Sequence, residues 1–473
     1  MSVLKFNFVK ISLIVSFALL SLFTINFYNG NKFILALFDL TSLFLVLNAT
    51  LKRSNFFDIF IAFYLSMGFF LKFNTSIYLG GDYYKSLVQQ GTTIENIDTA
   101  LLVSSVSFAV TVLVSLLSHY IFGLFSHKKT IKLNLIKKQY LKYRLVIITS
   151  FVIVVFLINY TNYHFSIYTK GGISHYSFFT LNFYKYFISF GFTFFILNLF
   201  KIELFGKKKF PLFFTSIIFF ENMASSISQI SRAMVLTSLS IFVGIFKYCS
   251  LNKIRIGFAT SLSIFLFIFL LFILSLYSVT KNRDANFIAS NTSGLSNFTK
   301  QPVSEKDISI LIDQWAKPML IDRWVGIEGV IAVSSNPLLG VELFRSSLAE
   351  KNVRGLSFFD KNFIDSPYKE VDFTKKQFVT LPGYIAFFFY TGSFLYLIIF
   401  ITLVTFFANL LEWFSLFISE QNYVISSFVS NLFCYRLINF GYMPLSTLQY
   451  IILILITLIF YNILFKYLEK KFK

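Results

Sequence analysis

The sequence predicts an all-α polytopic membrane protein: about twelve transmembrane helices, with one large helical segment outside the membrane between the ninth and the tenth. Three observations carry this expectation. Hydrophobic residues make up 56% of the 473 positions and charged residues only 14%, with a mean hydropathy of +0.71. Long apolar runs recur along most of the chain. The Lys and Arg residues, which leave a net charge of +20, are spread unevenly between alternate connections. A soluble domain is nearer to about a quarter charged, so the composition excludes a water-soluble enzyme. Neither a disordered nor a fibrous chain tolerates so much apolar surface. On a soluble protein this charge would point to nucleic acid; on a membrane protein it points to sided loops.

The apolar runs fall at 8–27, 33–51, 56–73, 99–125, 145–160, 178–200, 211–227, 233–246, 258–279, 384–411, 423–440 and 448–465. Only a helix satisfies its own backbone when a chain spans lipid repeatedly, and roughly twenty residues suffice for each crossing. The runs at 145–160 and 233–246 are short by that measure. Phe27-Tyr28-Asn29 offers no small-residue cleavage site, so the first run is expected to remain as a span. Cys249 and Cys434 cannot build a disulfide framework, and no metal-ligand spacing surrounds them. The 66 Phe and 26 Tyr fit a coding bias toward Phe, Ile, Lys, Asn and Tyr, and carry little functional information.

Orientation follows from the sidedness of charge. With the N-terminus inside, the cytoplasmic side holds 22 basic residues, including seven between 128 and 144 and four each at 201–209 and 466–473. The short outer connections hold only Lys32, Lys72, Lys85, Lys170 and Arg232. Both termini are therefore expected in the cytoplasm, and a shift by one span would destroy the asymmetry.

The chain accordingly divides into a membrane part at 1–279 with nine helices, an outer segment at 280–382, and a membrane part at 383–473 with three helices. The outer segment holds 13 basic and 12 acidic residues and is nearly neutral. A connection of this length commonly has structure or function of its own. Ser304 and Asp307 resemble a capping box with Asp in place of Glu, and Ile308, Leu311, Ile312 and Trp315 then recur at helical spacing until Pro318. From Met319 to Ser335, Leu320, Trp324, Ile327 and Ile331 share a face. Gly326 and Gly329 allow close backbone approach there, at about 1 kcal/mol each. Residues 338–352 form a third helical stretch that stops at Arg354-Gly355. These helices are expected to form a small cap lying on the membrane.

Four features bear on chemistry. The turn Ser225-Ser226-Ile227-Ser228-Gln229-Ile230-Ser231-Arg232 joins the seventh and eighth spans. Arg232 there either binds a lipid-linked phosphate, which a guanidinium matches bidentately, or snorkels to lipid head groups. In Ile321-Asp322-Arg323-Trp324-Val325-Gly326-Ile327-Glu328-Gly329, Asp322 and Glu328 can act as bases on a hydroxyl, Arg323 can hold a phosphate and Trp324 can stack on a sugar. The plainer alternative is an amphipathic helix with solvated charges and an inward Trp. Among Lys281, Arg283, Arg345, Lys351 and Arg354, mutual pairing with Glu342 and Glu350 competes with binding of a diphosphate by Arg345 and Arg354. Finally, the rim that carries His164, Lys170, His175 and several Tyr suits either an interfacial aromatic belt or a carbohydrate phosphate. No Walker-type loop, His-Glu-x-x-His or Gly-x-Ser-x-Gly element occurs. Without a nucleotide site, group transfer outside needs a pre-activated donor, and a lipid diphosphate is one.

The layout, with one large outer loop between the ninth and tenth spans, resembles the O-antigen polymerases of the Wzy type. Ser231-Arg232-Ala233 resembles their Ser-Arg-Gly/Ala element. The run from Asp322 to Val330, followed by Ala332-Val333-Ser334, is similar to their outer loop. So are Leu381-Pro382-Gly383-Tyr384-Ile385-Ala386 and Tyr390-Thr391-Gly392-Ser393, where that loop re-enters the membrane. The resemblance implies an inverting, metal-independent membrane glycosyltransferase of GT-C-like architecture that needs no cofactor. It would move a growing glycan from undecaprenyl diphosphate to the next lipid-linked repeat unit. By the same resemblance, Arg232 and Arg323 would neutralise the departing diphosphate, and Asp322 or Glu328 would be the base. The implied partners are the undecaprenyl-diphosphate-linked oligosaccharide, membrane lipids and a chain-length regulator, without nucleic acid. The implied place is the outer face of the bacterial inner membrane. A lipid-linked oligosaccharide flippase also has about twelve spans, but short loops and paired halves are expected of it. The O-antigen ligases share the layout but place a functional His in the large loop, and 280–382 contains none.

Overall fold

A computed structural model describes residues 2–51, 55–78, 92–124, 134–169, 176–204, 212–231, 233–252, 324–351, 355–366 and 379–471, with scattered positions within 254–274 and 369–377. The described residues form helices and no strand. The first eight helices are α1 (Ser2–Phe27), α2 (Lys32–Ala49), α3 (Phe56–Tyr78), α4 (Ile94–Leu124), α5 (Asn134–Phe165), α6 (Phe178–Leu204), α7 (Leu212–Ser228) and α8 (Ala233–Leu251). Short helices follow at α9 (Ile327–Ser334), α10 (Val341–Leu348), α11 (Phe358–Asn362) and α12 (Tyr384–Phe388). The chain closes with α13 (Phe394–Ile418), α14 (Tyr423–Ile438) and α15 (Pro444–Lys471). Eight helices are long and apolar enough to cross a membrane, and α7, α8 and α14 are shorter apolar helices. The expected span at 258–279 lies largely outside the described residues, which retain helical pieces between 262 and 274.

Large apolar side chains exposed along α1, α5, α13 and α15 mark the perimeter. A bundle that solvates its outer surface with hydrocarbon has no reason to hide them. The centre is α3, α4, α6, α8 and α14, whose side chains are buried together with Phe38 and Leu45 of α2. Polar residues join helices inside it. Glu412 of α13 accepts from the backbone N–H groups of Phe56 and Phe57 at 2.8 and 2.7 Å, and from Ser430 Oγ at 3.0 Å. That carboxylate satisfies donors that the first turn of α3 cannot pair internally. Next to it, Asn55 donates to Asn409 at 2.7 Å, and Ser115 donates to Asp58.

Four expectations change. The run at 145–160 is the middle of a 32-residue helix. The cations from Lys137 to Arg144 thus sit on helix α5 rather than in a loop, because good helix formers extend its first turns ahead of the apolar core. Second, the tenth run is two helices. Gly392, at φ +69, breaks the chain between α12 and α13, a left-handed conformation that suits glycine. Third, the expected helices in the outer segment are shorter. The described part of Met319 to Ser335 becomes helical only at Ile327, and 338–352 reduces to Val341–Leu348. The Ser304–Trp315 pattern lies outside the described residues. Fourth, the described parts of the segment do not simply lie on the bundle. Ile327, Val330, Ile331, Ala332 and Val333 of α9 are all buried, as is every residue of α12, and α9 packs against α4. Apart from Glu328 and Ser334, α9 is apolar, which leaves it little solvated face to offer as a surface cap.

Candidate functional site

The site begins with a cation inside an apolar helix. Lys72, expected in an outer loop, lies on α3 and is wholly buried. Its ammonium donates to Glu328 Oε1 at 2.6 Å and to the Trp324 carbonyl oxygen at 2.7 Å. The helix reaches Lys72 through a π-helical turn, Ser66–Leu71, a device that re-aims the residues after it. Gly68 lies in that turn. A Cβ on Gly68 would come within 2.3 Å of the Val325 carbonyl oxygen, and one on Gly326 within 1.8 Å of the Gly68 carbonyl oxygen. Two glycines therefore let the backbones touch, and that closeness carries Glu328 to Lys72.

A second loop completes the wall. A Cβ on Gly329 would meet the Pro382 carbonyl oxygen at 2.2 Å. The Gly383 N–H donates to the Phe440 carbonyl at 3.1 Å, and Gly441 has φ +110. The segments at 324–329, 381–383 and 440–441 thus interlock. Trp324 stands edge-on to Phe63 at 5.6 Å and 6.1 Å from Tyr64, whose hydroxyl donates to Asn431 at 2.9 Å. Glu328 Oε2 is buried with no hydrogen-bond partner among the described residues. A buried acceptor left unpaired is costly and asks for a donor.

Glu350 fastens the rest of the loop. It accepts from the Phe358 N–H at 2.6 Å and the Met443 N–H at 3.0 Å. Burial raises its pKa, and the Asp360 charge adds to this, while Lys361 and the two N–H donors oppose it.

A second polar group lies near the end of the bundle that carries these loops. Arg436, in the last turn of α14, stacks its guanidinium 3.9 Å over the Tyr450 ring of α15. Lys185 of α6 and Tyr168, in the α5–α6 connection, both feel its charge. Asn162 holds Tyr168 in place by accepting from its N–H at 2.8 Å and donating to its carbonyl at 3.0 Å. Burial raises the Tyr168 pKa, opposed by Ser189 and Arg436.

Of the residues singled out in the sequence, the structure brings Trp324 and Glu328 together on α3. It leaves Arg345 exposed and paired with Glu342 at 3.0 Å. His164 is exposed at the end of α5, stacked on Tyr160 at 6.0 Å. Arg232, Asp322, Arg323, Lys170, His175 and Arg354 lie outside the described residues. Sequence reasoning missed Lys72 as a buried partner, and also Lys185, Arg436 and Glu221. Glu221, buried in α7, accepts from Thr193 and Ser225, each at 3.1 Å. Each is an ionisable residue in or at the end of an apolar run, and that rarity was the available signal.

The fold and these buried polar groups define a multi-pass helical membrane protein. Compared with known protein families, with curated proteins and with solved structures, the chain matches none.

Proposed function

We propose that the chain is a polysaccharide polymerase of the Wzy kind, joining undecaprenyl-diphosphate-linked oligosaccharide repeat units at the outer face of the bacterial inner membrane. The observation that supports this reading is the seating of Glu328. A segment from the longest connection enters the bundle and presents a carboxylate beside α3, with one oxygen held by Lys72 and the other without a partner among the described residues. A lipid-borne substrate keeps its tail in the membrane and its reacting bond near the head groups. A carboxylate carried inward by an outer loop is where such a bond would arrive.

In this mechanism the acceptor hydroxyl gives its proton to Glu328 or Asp322 as its oxygen attacks the anomeric carbon. The sugar–phosphate bond breaks, and the electron pair leaves with undecaprenyl diphosphate. Arg232 and Arg323 neutralise the departing diphosphate, and Trp324 borders the sugar. Lys72 is a positioning residue that fixes one Glu328 oxygen.

A deletion strain tests the reading through the size of its surface glycan on a gel. The expected product carries a single repeat unit. Glu328→Gln and Arg323→Ala variants that insert normally are expected to reproduce it, since losing one pre-organised charge costs roughly a hundredfold in rate. Long chains in the deletion strain would sink the proposal. Repeat units trapped on the inner face would identify a flippase, and polymer left on its lipid carrier a ligase.

A further inference from the structure

We infer that Asp39 of α2 carries a proton and forms, with Asn74 of α3, a buried proton-binding site apart from the Lys72–Glu328 pair. The two side chains are in direct contact: Asn74 Nδ2 donates to Asp39 Oδ1 at 3.1 Å. Asp39 is 6% exposed and Asn74 is 0% exposed.

Hydrogen bonding is the first argument. Asn74 uses both of its amide protons, one on Asp39 Oδ1 and the other on the Phe70 carbonyl at 2.9 Å. Turning the amide over would set its oxygen against those two acceptors, so its orientation is fixed. Asn74 Oδ1 is then an acceptor, and so is Asp39 Oδ2. Both are buried without a hydrogen-bond partner among the described residues. Two buried acceptors on residues already bonded to each other lack a donor. An ionised carboxylate supplies none, whereas a protonated one gains an O–H. One proton on Asp39 Oδ2 turns an unpaired acceptor into a donor, and Asn74 Oδ1 is the open acceptor on the amide beside it.

Charge leads to the same ligand. A carboxylate taken out of water needs a cation or several donors, and otherwise takes up a proton. Glu412 has three donors and Glu203 has Arg144. Facing Asp39 are a neutral amide and the Ser21 hydroxyl of α1. The helices packed against α2 are α1, α3 and α4. On α3, Lys72 is held by Glu328, and Asp58 accepts from Ser115. On α4, Asp98 accepts from Tyr28 at 2.7 Å and from the Asn31 N–H at 3.0 Å. It therefore sits at the start of α2 with Lys32 and Glu95, about 10 Å along the helix from Asp39. Lys10 of α1 and His119 of α4 belong to the opposite end of their helices. Among the described residues, no cation forms an ion pair with Asp39.

The donor set selects a proton over a metal ion. A hard cation asks for about six oxygens, and this pair offers two open ones. A proton needs only one oxygen to carry it and one to accept. The packing agrees. Helix α1 rests on α2 and on the second half of α3, with Phe17 stacked 4.0 Å from Phe70. Only 6% of its apolar stretch is buried, so few contacts hold it in place. A neutral Asp39 keeps that thin contact free of charge. None of this depends on the polymerase reading.

The test is infrared spectroscopy of the full chain in nanodiscs at neutral pH, with carbon-13 in its aspartate carboxyls to mark their bands. The expected spectrum contains an aspartate band of the protonated acid. One component of it should vanish in Asp39→Asn and shift in Asn74→Val, which removes the amide beside it. Asp39→Asn keeps a neutral group of the same shape, so it should unfold at the wild-type temperature. Absence of any aspartate acid band from the wild type would overturn the site without recourse to a variant. An acid band that both variants leave unchanged would overturn it too, as would loss of carboxylate bands in Asp39→Asn. Conversion of the acid band to carboxylate on adding sodium chloride would put a metal ion in place of the proton, and would equally count against the proposal.

Discussion

Lys72 shows how much a single buried charge decides. Its ammonium has no exposure to solvent and, among the described residues, donates to Glu328 and to the Trp324 carbonyl. Removing one partner of such a pair leaves the other charged and buried, which costs about 3–5 kcal/mol. Lys72→Met and Glu328→Leu are each expected to lower the unfolding temperature in detergent. The double variant should recover much of the loss, because no charge is then stranded. Additive losses in the double-mutant cycle would show that the pair is not coupled. In sequence, Glu328 stood out through its motif, whereas Lys72 looked like one more loop cation beside a phenylalanine-rich run. Only its partner 256 positions away gives it a role.

Among the elements, α9 and the π-turn of α3 depend on each other. Apart from Glu328 and Ser334, helix α9 is apolar, and it is stable only where it is enclosed. The enclosure requires the glycine contact between 326 and 68. Gly326 has an extended backbone that any residue can adopt, so the constraint there is contact alone. Gly326→Ala would put a methyl group 1.8 Å from a backbone carbonyl oxygen, which no rotamer change relieves. Overpacking of this kind costs about 1–3 kcal/mol or more. The expected outcome is expulsion of α9, read as increased proteolysis or hydrogen exchange across 324–336, with the loss of polymer in cells. Gly340→Ala, which meets open space, is the control and should behave as wild type. Most of the helices were readable as long apolar runs, but the interruption at Gly392 was not, because 384–411 is apolar throughout and reads as one span. Nor was the depth of α9, because a short apolar helix looks the same whether it caps a bundle or fills it.

At the level of the whole molecule, the distribution of charge makes the remaining prediction. The basic residues that flank α5 and the end of α15 lie at one end of the alternating helices, and the 324–390 loops at the other. Reporters fused after Lys473 and before Met1 are expected to report the same, cytoplasmic side. A cysteine-labelling reagent that cannot cross the membrane should reach a Leu338→Cys variant from outside, since Leu338 is exposed. Opposite sides for the two termini would break the positive-inside argument, and with it the outward site.

The sequence by itself determined the class of molecule and the places of most helices, and it sets an expected sidedness for their ends. Each follows from local quantities: apolar length, backbone satisfaction in lipid, and the number of Lys and Arg in a connection. Tertiary structure alone decided which charges meet. Glu328 finds Lys72 because two glycines let distant backbones touch. Pairing of buried charges depends on distances between residues hundreds of positions apart, and no local pattern encodes those distances.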